Sequence, residues 1–184
     1  MIFRIQKMSV RVDFWFVAVI TLMLVIFPES LAAECFLMCI LHEAGHLTAM
    51  LICGKRAEEI TLGYFGMKIV TDKQLLTPVR DAVIAFAGPL VNLVTSAIFY
   101  IIGKSDIAAL SLSLGIFNLL PVTMLDGGHI ISAFFPDNRL HKALSLVCSL
   151  ILLCIGIFVA VYTKENFTIL IVSLYLVLGV ISEK

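Results

Sequence analysis

Apolar residues along this chain fall in long unbroken blocks rather than short alternations. A helix that crosses a bilayer needs about 20 mostly apolar residues, because it rises about 1.5 Å per residue through a layer about 30 Å thick. Six blocks approach that length: Val12 to Phe27, Glu34 to Cys53, Val79 to Gly103, Ile107 to Phe135, Leu140 to Thr163 and Phe167 to Ser182. The pattern predicts an all-α polytopic membrane protein with about six transmembrane helices. One further apolar stretch, Ile60 to Val70, is too short to span and carries Gly63 and Gly66 among strand-favouring Ile, Thr, Tyr and Val. It predicts a short membrane-associated β-hairpin or re-entrant loop after the second helix, with an amphipathic loop on the headgroups as the alternative. No Ser, Pro or Gly-rich linker divides the blocks, so residues 1–184 are expected to form a single domain.

Composition agrees with the pattern. Of 184 residues, 61% are hydrophobic and 14% charged, and the mean hydropathy of +1.08 excludes an ordinary soluble domain. Thirteen basic residues balance thirteen acidic ones with no basic patch interleaved with aromatics, which excludes nucleic acid as a partner and leaves the lipid bilayer. The five cysteines all lie in or beside apolar blocks, so no disulfide framework is implied.

Charge changes the picture most through topology. With a cytoplasmic amino terminus, every Lys and Arg faces the cytoplasm except Lys104 and Lys164. That bias places both termini inside and the cytoplasmic end of the second helix beside the Lys55 to Arg80 segment. The first block follows Arg4, Lys7 and Arg11, as a signal peptide would, and Leu31-Ala32-Ala33-Glu34-Cys35 is similar to a lipoprotein cleavage box. Glu34 stands where such a box needs a small residue, so a retained helix is expected.

Within the second block stand His42-Glu43-Ala44-Gly45-His46. On a helix, histidines at i and i+4 share one face about a turn apart and can grip one tetrahedral zinc ion. Glu43 projects nearby and is free to act as a base toward water. The alternative, a packed polar cluster in a helix interface, is weak here: ionisable groups cost at least ~2.5 kcal/mol each near a bilayer centre on insertion scales, so three within five residues need a ligand or cavity. A catalytic zinc needs a third protein ligand. Asp126 is the leading candidate, within Asn118-Leu119-Leu120-Pro121 to Leu125-Asp126-Gly127-Gly128, where proline and paired glycines interrupt an apolar run as they do where backbone lines a cavity. His129, three residues on, is the rival. It lies nearer the cytoplasmic boundary, where a half-exposed histidine needs no special role, and His141 in the loop before the fifth helix is expected to be equally unremarkable. Asn118 offers amide donors suited to a developing oxyanion, or else a helix–helix hydrogen bond. Asn92, in Ala87-Gly88-Pro89-Leu90-Val91-Asn92, is expected to be structural.

These motifs, in this order and each in an apolar span, resemble the site-2 protease family of intramembrane metalloproteases over roughly Cys35 to Phe135, most closely its stage IV sporulation protein FB subgroup. The resemblance implies one Zn2+ per chain held by His42, His46 and Asp126, Glu43 as catalytic acid and base, and Asn118 near the scissile carbonyl. It matches Ile60 to Val70 to the family's membrane-inserted strand region, although this chain has Gly63-Tyr64-Phe65-Gly66-Met67 where relatives often carry a proline and paired glycines. No PDZ domain interrupts the chain, and no CBS domain is expected after the sixth span. The expected function is hydrolysis of peptide bonds in or near transmembrane segments of membrane-protein substrates, as in regulated intramembrane proteolysis, in a bacterial cytoplasmic membrane. A membrane metal-binding or transport protein and a catalytically inactive substrate-binding relative are the alternatives.

Overall fold

The computed structural model describes residues 2–5, 8–14, 17–18, 21–22, 25, 29–55, 57–63, 66–71, 77–135, 138–164 and 167–182. Its elements run β1 (Ile2–Ile5), β2 (Met8–Val12), α1 (Glu29–Ile52), β3 (Ala57–Gly63), β4 (Gly66–Thr71), α2 (Pro78–Ile101), α3 (Ser105–Asn118), α4 (Asp126–Phe134), α5 (Asn138–Thr163) and α6 (Thr168–Ser182). Three helical stretches, Leu31–Ile52, Pro78–Ile101 and Arg139–Thr163, are long and apolar enough to cross a membrane, and α3 and α6 are shorter apolar helices. The chain is an integral membrane protein on these helices. Of the first apolar block, Val12 ends β2, Asp13 follows it outside any element, Phe14, Val17, Ala18, Thr21, Leu22 and Val25 are helical, and the others lie outside the described residues.

Helix α2 is the hub, packing against α1, α3 and α4, while α5 pairs with α6. Its start is set by Thr77, whose hydroxyl accepts from the Arg80 N–H, and by Pro78 in the first turn, where a missing N–H costs nothing. Its buried face is Ala82, Ala85, Gly88, Pro89, Asn92 and Ser96, a series of small residues at three- and four-residue spacing. Lipid is as apolar as leucine, so helices in a bilayer gain most by close backbone approach and a few polar bonds. Both occur against α3: Ser96 Oγ donates to the Ala108 carbonyl at 2.8 Å and Ser111 Oγ to the Asn92 carbonyl at 2.9 Å. Large apolar side chains such as Val94, Ile98, Ile151, Phe158, Ile171 and Leu178 are exposed on the opposite faces, as lipid contact requires.

Three differences from the pattern-based expectation stand out. The block Ile107 to Phe135 is not one helix: α3 stops at Asn118, residues 119–125 are irregular, and α4 begins at Asp126. Pro121 cannot donate to a helix ladder, and any Cβ at Gly127 or Gly128 would collide with the Leu119 or Val122 carbonyl, so the chain turns back tightly on itself. Val122 seats this segment against Leu176 and Val180 of α6. Second, the Ile60 to Val70 stretch belongs to a four-stranded sheet of order β1-β2-β3-β4. Strands β3 and β4 pair antiparallel, with Gly63 opposite Gly66, and Tyr64 and Phe65 between them lie outside the described residues. Strand β3 also pairs parallel with β2, and an Arg11–Glu59 ion pair of 3.6 Å joins them. Third, His141 is not in a loop. Helix α5 starts at Asn138, which places His141 in its first turn on the inward face shared with Ser145 and Ser149, and all three are buried.

Candidate metal centre

His42 and His46 lie one turn apart on α1 and both are buried. Asp126, the first residue of α4, reaches them from the other side of the irregular segment. Its Oδ2 is 3.0 Å from His42 Nε2 and 3.3 Å from His46 Nε2, and the two imidazole nitrogens are 3.1 Å apart. The structure thus brings together the two histidines and Asp126, and it leaves His129 exposed outside the group.

The tautomer of His46 follows from its other nitrogen. Nδ1 lies 2.8 Å from the Ile84 carbonyl of α2, an acceptor only, so Nδ1 carries the hydrogen and in the neutral ring Nε2 presents a lone pair. The His46 lone pair and Asp126 Oδ2 then stand 3.3 Å apart, with His42 Nε2 within 3.0–3.1 Å of both. Asp126 Oδ2 is buried and receives no hydrogen bond of acceptable angle from either ring. One proton relieves the repulsion of one pair, whereas one cation relieves all three. Ligand atoms about 2.0–2.1 Å from a tetrahedral zinc stand about 3.3 Å apart, which is the spacing found here. The donor set and its separations therefore fit a metal ion.

Two glycines make this approach feasible. A Cβ on Gly88 of α2 would run into the His46 ring, and one on Gly45 would lie 2.7 Å from the Ala87 carbonyl. Sequence reasoning singled out Asn92 in the Ala87 to Asn92 stretch without seeing that Gly88 is the seat of His46. Only the contact between helices reveals that role.

Glu43 lies within electrostatic reach of His42, His46 and Asp126. Asn118 ends α3, and its Nδ2 donates to Leu114 one turn back at 3.0 Å, which leaves one of its two amide hydrogens for another partner. Asn92 is wholly buried beside Gly115, and its side-chain amide has no partner among the described residues; its backbone carbonyl takes the Ser111 bond instead. Sequence reasoning missed Ser145 altogether. Its hydroxyl donates to the Pro121 carbonyl at 3.1 Å and accepts from the Thr123 N–H at 3.0 Å, clamping the segment that delivers Asp126. Just past the carboxyl-terminal end of α1, Lys55 Nζ binds Asp81 Oδ1 at 3.0 Å and ties α1 to the start of α2.

Comparison with known proteins agrees with this geometry. The model of peptidase family M50 matches residues 105–163. The chain is 32% identical over 104 residues to "Putative zinc metalloprotease sll0528" of Synechocystis sp., covering 50% of this chain and 27% of that protein. It is 26% identical over 167 residues to "Zinc metalloprotease MJ0392" of Methanocaldococcus jannaschii, covering 80% of this chain and 47% of that protein. The chain thus spans less than half the length of these curated relatives. In three dimensions it superposes on the site-2 protease from Methanocaldococcus jannaschii with a TM-score of 0.71 at 24% identity, covering 100% of this chain and 94% of that one. These matches carry the relationship to M50 metallopeptidases and the site-2 protease fold, and they do not extend to the sporulation-protein subgroup.

Proposed function

We propose that this chain, related to peptidase family M50 and folded as a site-2 protease, is a zinc-dependent endopeptidase that cuts polypeptides in or near their transmembrane segments. The observation that carries the reading is the convergence of His42 Nε2, His46 Nε2 and Asp126 Oδ2 within 3.0–3.3 Å inside a membrane-spanning bundle. These three residues hold one zinc per chain. When bound, the ion supplies Lewis acidity, polarising the scissile carbonyl and making water a nucleophile near neutral pH. Glu43 accepts the proton of the attacking water and returns it to the leaving amine. The remaining amide hydrogen of Asn118 donates to the carbonyl oxygen as charge develops there. The Ile84 carbonyl holds His46 in the tautomer that keeps Nε2 free.

The eleven-to-two bias of basic residues supports a cytoplasmic position for both termini, with water reaching the site from that side. His46 stands about eight residues, roughly 12 Å of helix rise, from Gly54.

A helical substrate hides its carbonyls in its own hydrogen bonds and must become extended to be cut, which exposes donors and acceptors that cost several kcal/mol each unpaired in a membrane. A strand edge satisfies them. Strand β3 pairs on both sides over residues 59–62, so within the Ile60 to Val70 stretch only β4, paired with β3 alone among the described strands and one of the sheet's two edges, is left to be the edge proposed for substrate.

The decisive test is co-expression with candidate membrane substrates. Glu43→Gln is expected to keep its zinc and lose cleavage. A metal transporter keeps its flux in that variant, and an inactive relative cleaves nothing in either form.

A further inference from the structure

The two histidines of the metal group are not supported alike. His46 gives its Nδ1 hydrogen to the Ile84 carbonyl of α2, whereas His42 Nδ1 is buried and has no partner among the described residues. A neutral ring that offers Nε2 to a metal carries its hydrogen on Nδ1, and metal-ligating histidines almost always pass that hydrogen to an acceptor. Leaving it buried and unpaired disfavours the tautomer the site needs. A second unpaired group stands on α2. The side chain of Asn92 is wholly buried, and neither its Oδ1 nor its Nδ2 has a partner among the described residues.

The packing of α1 on α2 brings these two groups to one level. The helices run antiparallel, since Lys55, just past the end of α1, binds Asp81 in the first turn of α2. From that end their contacts advance in step. His46 meets Ile84 and Gly88, and a Cβ on Gly45 would meet Ala87 and Val91. One turn further along each helix, His42 succeeds His46 and Asn92 succeeds Gly88, each rotated by only about 40°. On α3, Gly115 makes room for Asn92: its absent Cβ would lie 3.2 Å from the Asn92 Cβ. The Asn92 backbone carbonyl already accepts from Ser111, so the side chain is not needed for that helix contact.

We propose that Asn92 is a positioning residue for the metal group: its Oδ1 accepts the Nδ1 hydrogen of His42 through one buried water molecule and so keeps His42 Nε2 directed at the ion. A water that accepts from Nδ1 and donates to Oδ1 satisfies two buried polar groups at once, the setting in which internal waters are found. Helix α2 then supports both histidines from one face, His46 through a backbone carbonyl and His42 through a side chain. The inference rests on the metal group of the proposed function.

The test is zinc affinity of the full-length protein in detergent, measured by chelator competition beside thermal unfolding of the metal-free form. Asn92→Leu keeps the volume and removes the acceptor. It is expected to weaken zinc binding about 10–100-fold without lowering metal-free stability. Asn92→Ala, which needs no more space than asparagine, is expected to weaken binding to the same degree and serves if the leucine variant does not fold. Asn92→Asp keeps an acceptor and is expected to bind zinc at least as tightly as the parent. In the cobalt-substituted protein its ligand-field absorption is expected to shift, which a side chain that only fills space would not cause. Ser111→Ala removes the bond to the Asn92 backbone and is expected to lower stability with zinc affinity unchanged. Parental affinity in the leucine and alanine variants, or an aspartate variant as weak as leucine, overturns the role of Asn92. His42→Ala separates this role from the protease reading. If the parent binds zinc and His42→Ala does not, the metal group stands even where the Asn92 variants overturn its support; if the parent binds none, both fall.

Discussion

Gly88 shows how one missing methyl group can govern the proposed metal site. Its Cβ would occupy the volume of the His46 ring, which is also tied through Nδ1 to the Ile84 carbonyl. Gly88→Ala is therefore expected to lower zinc affinity by about 10–100-fold, the loss typical of disturbed ligand orientation, measured by chelator competition. Gly103 provides the control. Its φ of +76° strains an alanine by about 1–2 kcal/mol, yet nothing lies within 4 Å of its missing Cβ, so Gly103→Ala is expected to lower stability with zinc binding unchanged. Asp126→Ala is expected to empty the site and His129→Ala to leave it full, as read by metal analysis. The reverse result makes His129 the third ligand.

Among the elements, the short irregular link between α3 and α4 carries the most consequence. Ser145 holds it through Pro121 and Thr123. Ser145→Ala removes both bonds and strands two partly buried backbone groups, which is expected to cost about 1–3 kcal/mol of stability and to loosen Asp126, so that zinc affinity falls as well. Ser149, buried one turn further on with no partner for its hydroxyl among the described residues, is expected to tolerate alanine; thermal unfolding with and without zinc compares the two. Helices α1, α2 and α5 were readable from the sequence because hydrophobicity sustained over twenty residues has few other meanings. The histidines were readable because their spacing is local. Strands β1 and β2 were not, since Ile2-Phe3-Arg4-Ile5 and Met8 to Val12 look like the charged flank of a membrane helix, and their partner β3 lies some fifty residues away. The roles of Ser145 and Gly88 were hidden for a related reason: each acts on an element distant in sequence, and neither residue type signals it. His141 was placed before the fifth helix although the block Leu140 to Thr163 already contains it; helix α5 starts at Asn138 and carries it in the first turn.

At the scale of the whole molecule, the metal group fastens α1 to α4 in a bundle whose other contacts are largely small side chains. Removal of zinc by a chelator is expected to lower thermal stability, by about 4 kcal/mol relative to a free-zinc concentration 1,000 times Kd, and zinc replacement to restore it. Asp126→Ala is expected to abolish that difference. The topology proposed above has its own check. In a cysteine-free background, single cysteines at positions 104 and 164 are expected to react with an impermeant reagent from outside and one at position 139 only from the cytoplasm; inverted labelling overturns the orientation.

The separation of the ligands along the chain sets an order in time. Asp126 follows His46 by about 80 residues, which at roughly 5–20 residues per second leaves the histidine pair about 4–16 s older than its carboxylate during synthesis. Throughout that interval the nascent chain holds two ligands and a base but no complete centre. Helices α2 and α3 are synthesised in that interval and serve as a delay, so the activity proposed above arrives only once the helices that enclose the group have been made.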